Sequence, residues 1–379
     1  MEDARFAMSA YPAVSYAVRR FTHKATLHFW QDRKTAKDGT ALEGVSRPLC
    51  PELVSVVIPT LHRPELLRNA VLSALCQTYS SIEVIVVVDG EDPASEQSLV
   101  SIDDQRLRVI RLELNMGGSE ARNIGVRAAK GSWIAFLDDD DEWLPQKVAL
   151  QMDVAQAAAS SFPVISTRLV VRTPEQDLIR PVDAVDPHLP VSEQLFCRRT
   201  IADGPYTMQT STLLTRRETM LAIPFRSGLQ RHQDWDWLLR AARHSRISFH
   251  VLPEPLTVFR VNDNRQSVGR TLGWQFSLRW AQEMRRYFTP QAYSFFVATE
   301  CVARAVKADA GFPVYWRLLR EFISGSPTPR SLLWLAAFLF APSTLRSHAR
   351  RLLLSSAAYG LPERRSSPGS TSQNQAVTH

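Results

Sequence analysis

The sequence predicts an α/β fold in which helices flank a doubly wound parallel sheet. Short β-branched runs, each long enough for one buried strand, alternate with segments that have the apolar periodicity of helices. Polar residues suited to ligand binding follow the ends of several of these runs, and open α/β sheets bind ligands at the carboxyl ends of their strands. These polar residues are Thr60, Asp89, Asn115 and Asp138 to Asp141.

The predicted elements follow one another regularly along the chain. A first strand of β-branched residues stops at Pro59, and Pro64 is suited to the first turn of the helix that follows. Gly131 is predicted to end the helix that Ser119 begins. Residues 173–190, which are rich in proline, are predicted to form a loop or lid. Strands are predicted at residues 53–58, 82–88, 107–112, 133–137, 163–172 and 210–214. Helices are predicted from residues 64, 119, 145 and 230, and throughout the region after residue 273.

Four consecutive carboxylates, Asp138 to Asp141, follow the fourth predicted strand. Like charges this close repel one another and raise one another's pKa values. The four acids therefore either extend into water or hold a hard divalent cation through oxygen ligands. Both interpretations remain open at this point.

The formal net charge of +7 is unevenly distributed over the 379 residues. Residues 1–50 contain eight basic and five acidic groups, and residues 316–365 contain eight arginines and two acids. The rest of the chain has a net charge of −2, which argues against a nucleic-acid-binding surface on the main domain. The basic C-terminal segment instead favours contact with a partner or a membrane surface.

Ten apolar residues, 332–341, form an uninterrupted run that is too short to span a bilayer as a straight helix. Arginines flank this run on both sides, so residues 332–351 could form an interfacial helix on an anionic membrane, and a buried core helix is the alternative. The four cysteines are widely spaced and form no CxxC pair, which suits a reducing compartment. We therefore expect a cytoplasmic location. The protein could also bind peripherally to the inner face of the cell membrane.

Four segments resemble the successive motifs of family 2 glycosyltransferases, which have the GT-A fold with a Rossmann-like nucleotide-binding sheet. The resemblance covers about residues 53–265 and keeps the order and spacing of the family. The four segments are residues 54–60 (VSVVIPT), 83–90 (EVIVVVDG), 115–125 (NMGGSEARNIG) and 136–143 (FLDDDDEW).

The resemblance implies inverting transfer of a sugar from a nucleotide-diphosphate sugar donor to a hydroxyl of a glycan or lipid-linked acceptor. It places Thr60 and Asp89 in the base pocket. It assigns Asp138 to the ribose, and Asp138 and Asp140 to the Mg²⁺ or Mn²⁺ that bridges the diphosphate. Because four acids are consecutive, Asp139 and Asp141 are alternatives. The remaining donor-binding candidates are Pro59, Asn115, Gly117 and Arg122, and the last of these could instead pin its loop by pairing with an acid.

The same resemblance assigns the general base to Asp234, in the first turn of a predicted helix. Gln233 stands where the family usually has Glu, and Asn262 stands where relatives often have His. These two differences keep a non-catalytic nucleotide-sugar-binding or scaffold protein on the same fold as one alternative. Another Mg²⁺-dependent phosphoryl enzyme is the second alternative.

Four regions are predicted from these patterns. They are an N-terminal extension at residues 1–50, a GT-A domain at 51–265, a helical C-terminal region at 266–362 with a buried aromatic face, and a disordered tail at 363–379.

Overall fold

The computed structural model describes residues 51–173, 176–182, 184–198, 208–260 and 273–341. The predicted N-terminal extension, the predicted C-terminal tail and Asn262 lie outside the described residues, and the division into four regions stays a prediction.

One mixed sheet contains the nine strands found in the described residues, in the order β3-β2-β1-β4-β8-β6-β9-β5, with β7 paired to β6. The strands are β1 (Val54–Thr60), β2 (Ile82–Val88), β3 (Leu107–Arg111), β4 (Trp133–Phe136), β5 (Asp141–Trp143), β6 (Phe162–Arg172), β7 (Asp177–Arg180), β8 (Leu214–Arg216) and β9 (Ile247–Arg260).

Helices connect and cover these strands. They are α1 (Pro64–Leu75), α2 (Pro93–Leu99), α3 (Gly118–Ala128), α4 (Lys147–Ala157), α5 (Val191–Phe196), α6 (Arg217–Ala222), α7 (Gln233–Ala241), α8 (Trp274–Glu283), α9 (Pro290–Phe296), α10 (Ala303–Lys307), α11 (Phe312–Ser324) and α12 (Pro329–Phe340). A π-helical turn, Val297–Val302, joins α9 to α10.

Half of the sheet has the predicted parallel arrangement. Strands β3, β2, β1 and β4 are parallel, as their helical connections require. The other half is mixed, because β8 runs antiparallel to both β4 and β6, and β5 runs antiparallel to β9. The prediction of an α/β fold is confirmed, and the expectation of a doubly wound parallel sheet holds for the first half of the sheet.

The first strand does not stop at Pro59, as expected, but continues to Thr60. The main-chain oxygen of Thr60 faces β2, where it accepts a hydrogen bond from the Asp89 N–H at 2.9 Å. Because successive residues of a strand bond to opposite sides, Pro59 faces the side of β4. Strand β4 has already ended at Phe136, so the missing proline N–H costs no ladder hydrogen bond.

Four further features differ from the predictions. Residues Thr210–Thr212, expected in a strand, form a 3₁₀ turn before β8, and β7 lies inside the predicted loop at residues 173–190. Helix α3 is capped by Gly117, with φ at 83°, rather than by Ser119. The helix ends before Gly131, where a Cβ atom would lie 2.5 Å from the Leu53 main-chain oxygen. Gly131 therefore permits close chain approach and does not terminate the helix.

Two hydrophobic clusters lie on opposite faces of the sheet. Val56 faces the cluster that includes residues of α1 and α4. Val57, the next residue of the strand, faces the cluster that includes Trp280, Phe296 and Leu318 of the C-terminal helices. The C-terminal helices thus share a hydrophobic core with the sheet.

Candidate functional site

The loops that follow β1, β2 and β4 meet at one edge of the sheet. Thr60 pairs in register with Val88 of β2, and Val57 pairs with Phe136 of β4. The carboxyl ends of these neighbouring strands are therefore adjacent, and the sequence-predicted residues that follow them come together as expected.

Asp139 lies against the end of β1. Its carboxylate accepts hydrogen bonds from Thr60 Oγ1 at 2.8 Å and from Arg63 Nη1 at 2.9 Å, and the same Arg63 nitrogen donates to Asp140 Oδ2 at 2.8 Å. Burial, reinforced by the negative charge of Asp140, raises the pKa of Asp139 to about 6, although Arg63 and Thr60 oppose the rise. Asp139 thus connects the acidic loop to the first strand.

The other three acids face a common point. Asp138, Asp140 and Asp141 each offer a ligand oxygen, and these oxygens lie within 4.8 Å of one another. Ser211 fixes two members of the set, since its hydroxyl donates to Asp141 Oδ2 at 2.6 Å and accepts the Asp138 N–H at 3.0 Å. A set of carboxylate oxygens fits a hard cation such as Mg²⁺ or Mn²⁺. The geometry groups Asp141 with the two acids predicted to hold the metal, and turns Asp139 away from them.

The loops after β2 and β3 are tied together beside this cluster. Asp89 Oδ1 accepts the Met116 N–H at 2.7 Å, and Asn115 Oδ1 accepts the Gly117 N–H at 3.0 Å. The positive φ of Gly117 directs the chain from this turn into α3. The predicted donor-binding residues Asp89, Asn115 and Gly117 therefore form one interlocked loop pair.

Arg122 on α3 joins the acidic loop to α7. It is buried, and it donates through Nη2 to Asp138 Oδ1 at 2.5 Å and through Nη1 to Gln233 Oε1 at 2.7 Å. Gln233 also donates through Nε2 to the Leu229 main-chain oxygen at 2.7 Å. Arg122 therefore pairs with an acid, Asp138, which is the alternative role considered for it. Gln233 keeps an oxygen acceptor for this arginine although it is not the Glu usual in the family.

Asp234 occupies the first turn of α7, as predicted. Its carboxylate accepts the Trp235 N–H at 2.9 Å. The side chain keeps some exposed surface, but the protein atoms packed around it desolvate the carboxylate. This desolvation, together with the charge of Asp138, raises the pKa of Asp234 to about 6. The carboxylate therefore holds a proton more tightly than an exposed aspartate does.

The residue that precedes α7 is held in an aromatic cage. His232 has a left-handed conformation, with φ at 65°, and is buried. Its ring stacks on Trp235 with 4.7 Å between centroids and lies 4.7 Å from the ring of Trp280 in α8. Burial keeps the pKa of His232 well below its ordinary value, so the ring is neutral.

An ion-pair network continues from this cage into the C-terminal helices. Arg231 Nη2 lies 2.8 Å from Glu300 Oε1, and Arg304 Nε lies 2.6 Å from the same oxygen. Glu300 belongs to the π-helical turn, a type of turn often found at functional sites. The C-terminal helices therefore support the segment that carries Asp234.

Three supporting residues were missed by the sequence interpretation. Arg63 could have been found from its position just after β1, at the same sheet edge as Thr60. Ser211 was assigned to a strand rather than to the turn from which it reaches the acids. For His232 the sequence carries no signal, because its role depends on aromatic residues that are distant in the chain.

Residues 55–209 match the sequence model described as "Glycosyl transferase family 2". This match identifies a glycosyl transferase family 2 domain within the chain. It is 26% identical over 282 residues to the amylovoran biosynthesis glycosyltransferase AmsB of Erwinia amylovora, across 70% of this chain and 91% of AmsB. The chain is also 37% identical over 101 residues to an Escherichia coli protein, across 27% of this chain and 40% of the relative. That relative is named UDP-Glc:alpha-D-GlcNAc-diphosphoundecaprenol beta-1,3-glucosyltransferase WfaP.

The solved structure of S. aureus TarS 1-349 in complex with UDP is similar to this glycosyltransferase with a TM-score of 0.52 and 18% identity. The similarity covers 82% of this chain and 93% of the TarS chain. It supports the GT-A-like mixed α/β fold, and the predicted fold class is confirmed. The predictions that the chain resembles family 2 and is a glycosyltransferase are confirmed as well. Its relatives include enzymes of polysaccharide biosynthesis.

Proposed function

We propose that this glycosyltransferase transfers a sugar, with inversion, from a nucleotide-diphosphate sugar to a hydroxyl group of a glycan or lipid-linked acceptor. The observation that carries the proposal is the link made by Arg122, which joins Asp138 of the acidic loop to Gln233 at the start of α7. This link supports the proposal because it joins an acidic cluster suited to a metal to the segment that carries a desolvated carboxylate suited to proton transfer.

The donor nucleotide would occupy the edge formed by the loops after β1, β2 and β3. Pro59, Thr60 and Asp89 would line the base pocket, with Asn115 and Gly117 in the adjoining loop. The bonds that hold Asp89 to Met116 and Thr60 to Asp139 support this assignment, because they fix both pocket walls before the donor binds. TarS, whose structure is similar to this chain, has been solved with UDP and with UDP-GlcNAc.

Asp138 and Asp140 would hold Mg²⁺ or Mn²⁺, with Asp141 as a third oxygen ligand. A cation bound there would neutralise the charge that develops on the departing diphosphate. Ser211 supports the assignment by orienting two of the three acids. Arg122 would keep Asp138 in place and connect it to the segment that carries the base.

Asp234 would accept the proton of the acceptor hydroxyl as that oxygen attacks the anomeric carbon. Its raised pKa suits this role, since a general base is most effective when its pKa lies near the working pH. The neutral His232 behind it would fix the start of α7 without adding a positive charge.

The acceptor is proposed to be a growing glycan carried on a membrane lipid. Two relatives support this choice, since AmsB is named for amylovoran biosynthesis and the name of WfaP specifies a diphosphoundecaprenol-linked acceptor. We therefore propose that the protein works at the inner face of the cell membrane, in peripheral contact with it.

Calorimetric titration of a panel of nucleotide diphosphates and nucleotide sugars, with and without Mn²⁺, tests the donor site. We expect metal-dependent binding of one nucleotide class to wild type, and loss of that binding in Asp140→Ala. Asp153→Ala, which removes an exposed aspartate of α4, is the matched control and should bind like wild type. If no member of the panel binds to wild type with metal present, the proposed function is wrong.

A further inference from the structure

The last two described helices expose an unusual amount of apolar surface. Of the twelve large hydrophobic side chains that are strongly exposed in the described residues, seven lie on α11 and α12. Phe340 is 82% exposed and Phe312 is 78% exposed. Scattered single exposures are ordinary on protein surfaces, but a concentration of them marks an interaction site. The seven are Phe312, Trp316, Ile323, Leu332, Leu333, Leu339 and Phe340.

The exposed side chains lie on one face of each helix. Phe312, Trp316 and Ile323 are separated by four and seven residues, a spacing that keeps them on one side of α11. Helix α12 has no charged residue after Arg330, and its exposed positions carry apolar side chains from Leu332 to Phe340.

The two faces are neighbours. A groove between the helices is lined by Tyr315, Trp316 and Leu319 of α11 and by Leu335 and Leu339 of α12. The apolar side chains of both helices therefore form one surface, which we call the α11–α12 face.

The opposite sides of these helices fix them to the protein. Leu318 and Phe322 of α11 are buried, and so is Ser331 of α12. Thr328 and Ser331 also form a reciprocal capping box at the start of α12. The helices are thus anchored by one side, and the α11–α12 face is the side left for a partner.

Positive charge borders this face. Arg317 and Arg320 of α11 are exposed, and Arg330 is exposed at the start of α12. In residues 312–341 the sequence contains one acid, Glu321, whose carboxylate accepts bonds from Tyr293 and Gln282. The sequence adds further arginines at positions 346, 350 and 351. A partner that complements this surface is apolar and carries negative charge.

We propose that the α11–α12 face binds the surface of a lipid bilayer that contains anionic lipids. An amphipathic helix with aromatic and aliphatic residues on one side and arginines at its border lies in the interface between headgroups and acyl chains. Helix α12 would lie along the membrane plane, since no helix in the described part of the chain combines the length and apolar composition that a bilayer crossing needs. The inference extends the lipid-linked acceptor proposed above by assigning the residues that contact the membrane.

Flotation of the full chain with unilamellar vesicles tests the inference. We expect binding to vesicles of phosphatidylcholine with phosphatidylglycerol, weaker binding to phosphatidylcholine alone, and a decrease at high salt. The double variant Leu333→Glu/Phe340→Glu should bind anionic vesicles at least about tenfold more weakly, because two inserted side chains become charged. The control Val100→Glu/Leu114→Glu replaces two exposed apolar residues outside α11 and α12 and should bind like wild type.

Several outcomes would overturn the inference. They are absence of binding to every vesicle composition, an equal loss of binding in the control, and a concentration-dependent dimer that disappears in Leu333→Glu/Phe340→Glu while vesicle binding is absent. The vesicles contain neither donor nor acceptor, so failure of the proposed glycosyl transfer would leave this result unaffected. Far-UV circular dichroism and thermal unfolding of each variant verify that it is folded, independently of any nucleotide binding.

Discussion

The acidic loop after β4 and the start of α7 both carry an aspartate whose pKa is raised to about 6, and they hold it in different ways. Asp139 in the loop accepts side-chain hydrogen bonds from Thr60 and Arg63. Among the described residues, no side chain donates a hydrogen bond to Asp234, whose carboxylate accepts a main-chain N–H of its own helix. Both carboxylates hold a proton more tightly than an exposed aspartate does. The one bonded to an arginine is held in a fixed position, whereas Asp234 is restrained through the backbone of its own helix.

This difference fits the two tasks proposed for the site, metal binding by the loop and proton transfer by Asp234. The acids of the loop are positioned by Arg63, Arg122 and Ser211, which suits a fixed set of metal ligands. Asp234 is positioned through the backbone of α7, which leaves its oxygens available to the acceptor. The experiments that follow test whether the two regions differ in function as they differ in structure.

Asp234→Asn should have the largest effect. The amide has the shape of the carboxylate but cannot accept the proton, so kcat should fall by roughly 10²–10⁴-fold. The dissociation constant of the donor nucleotide should stay within about twofold of wild type, because the donor edge is built by other loops. Transfer kinetics and calorimetric titration on the same preparation measure the two quantities.

Asp153→Asn is the control for this substitution, since it changes an exposed aspartate of α4 in the same way. If Asp234→Asn retained wild-type kcat, Asp234 would not be the general base. If nucleotide binding fell together with kcat, Asp234 would belong with the donor-binding acids.

The pH dependence of the reaction should give the second largest effect. A general base must be deprotonated, and the pKa of Asp234 is about 6, so kcat/KM should decrease about tenfold for each pH unit below 6. The control is nucleotide affinity over the same pH range, which separates protonation of Asp234 from protonation of Asp139. An inflection near pH 4 would mean that Asp234 titrates like an exposed aspartate.

The strands of the parallel half could be predicted from the sequence because their burial on both faces selects β-branched runs. The predicted range of β2 is the observed one, and β4 differs by a single residue. Strand β5 could not be found, because Asp141 and Glu142 within it read as part of a charged turn. Its two acids are buried, since Ser211 binds Asp141 and Arg260 binds Glu142. Such pairings across the chain leave no local pattern.

The candidate site was also only partly predictable from local sequence patterns. Position at strand ends was enough to select Thr60, Asp89 and Asp138 from the sequence. Pairing of Arg122 with an acid was foreseen as an alternative, but the other partners of these residues were not predicted, because their contacts join residues far apart in the chain. Arg122 and Gln233 are separated by 111 positions. The choice between Asp139 and Asp141 likewise depended on which side of the loop each carboxylate faces.

Lys147, which supports the acidic loop from within the core, should affect stability. It is fully buried, donates to Gln151 Oε1 at 2.7 Å and lies 3.9 Å from the centre of the Trp143 ring. Burial holds its pKa well below the ordinary value, so unfolding takes up a proton at pH values between this lowered pKa and about 10. The free energy of unfolding should therefore rise with pH, and Lys147→Met should lose this contribution.

Urea unfolding of wild type and Lys147→Met at about pH 8 and pH 9 measures the difference. The stability of wild type relative to the variant should increase over that pH unit, by at most about 1.4 kcal/mol. Lys130→Met, at an exposed lysine, should show no such change. A difference that is the same at both pH values would mean that Lys147 is charged in the folded protein.

Gln233→Glu should have the smallest effect on activity, and the effect should be confined to the pH profile of the reaction. The new carboxylate would keep the hydrogen bond from Arg122 and would lose the one that Gln233 donates to the Leu229 main-chain oxygen. It would also place a negative charge beside Asp234, so the pKa of Asp234 should rise above its present value of about 6. Arg122 lies against the new charge and would neutralise much of it, which limits the increase. The inflection of the pH profile of kcat/KM should therefore move to higher pH, with little change in the plateau rate. A lower plateau rate at an unchanged inflection would mean that Gln233 affects the geometry of α7 rather than the pKa of Asp234. Arg122 would then be the residue that links the acidic loop to the segment of the base.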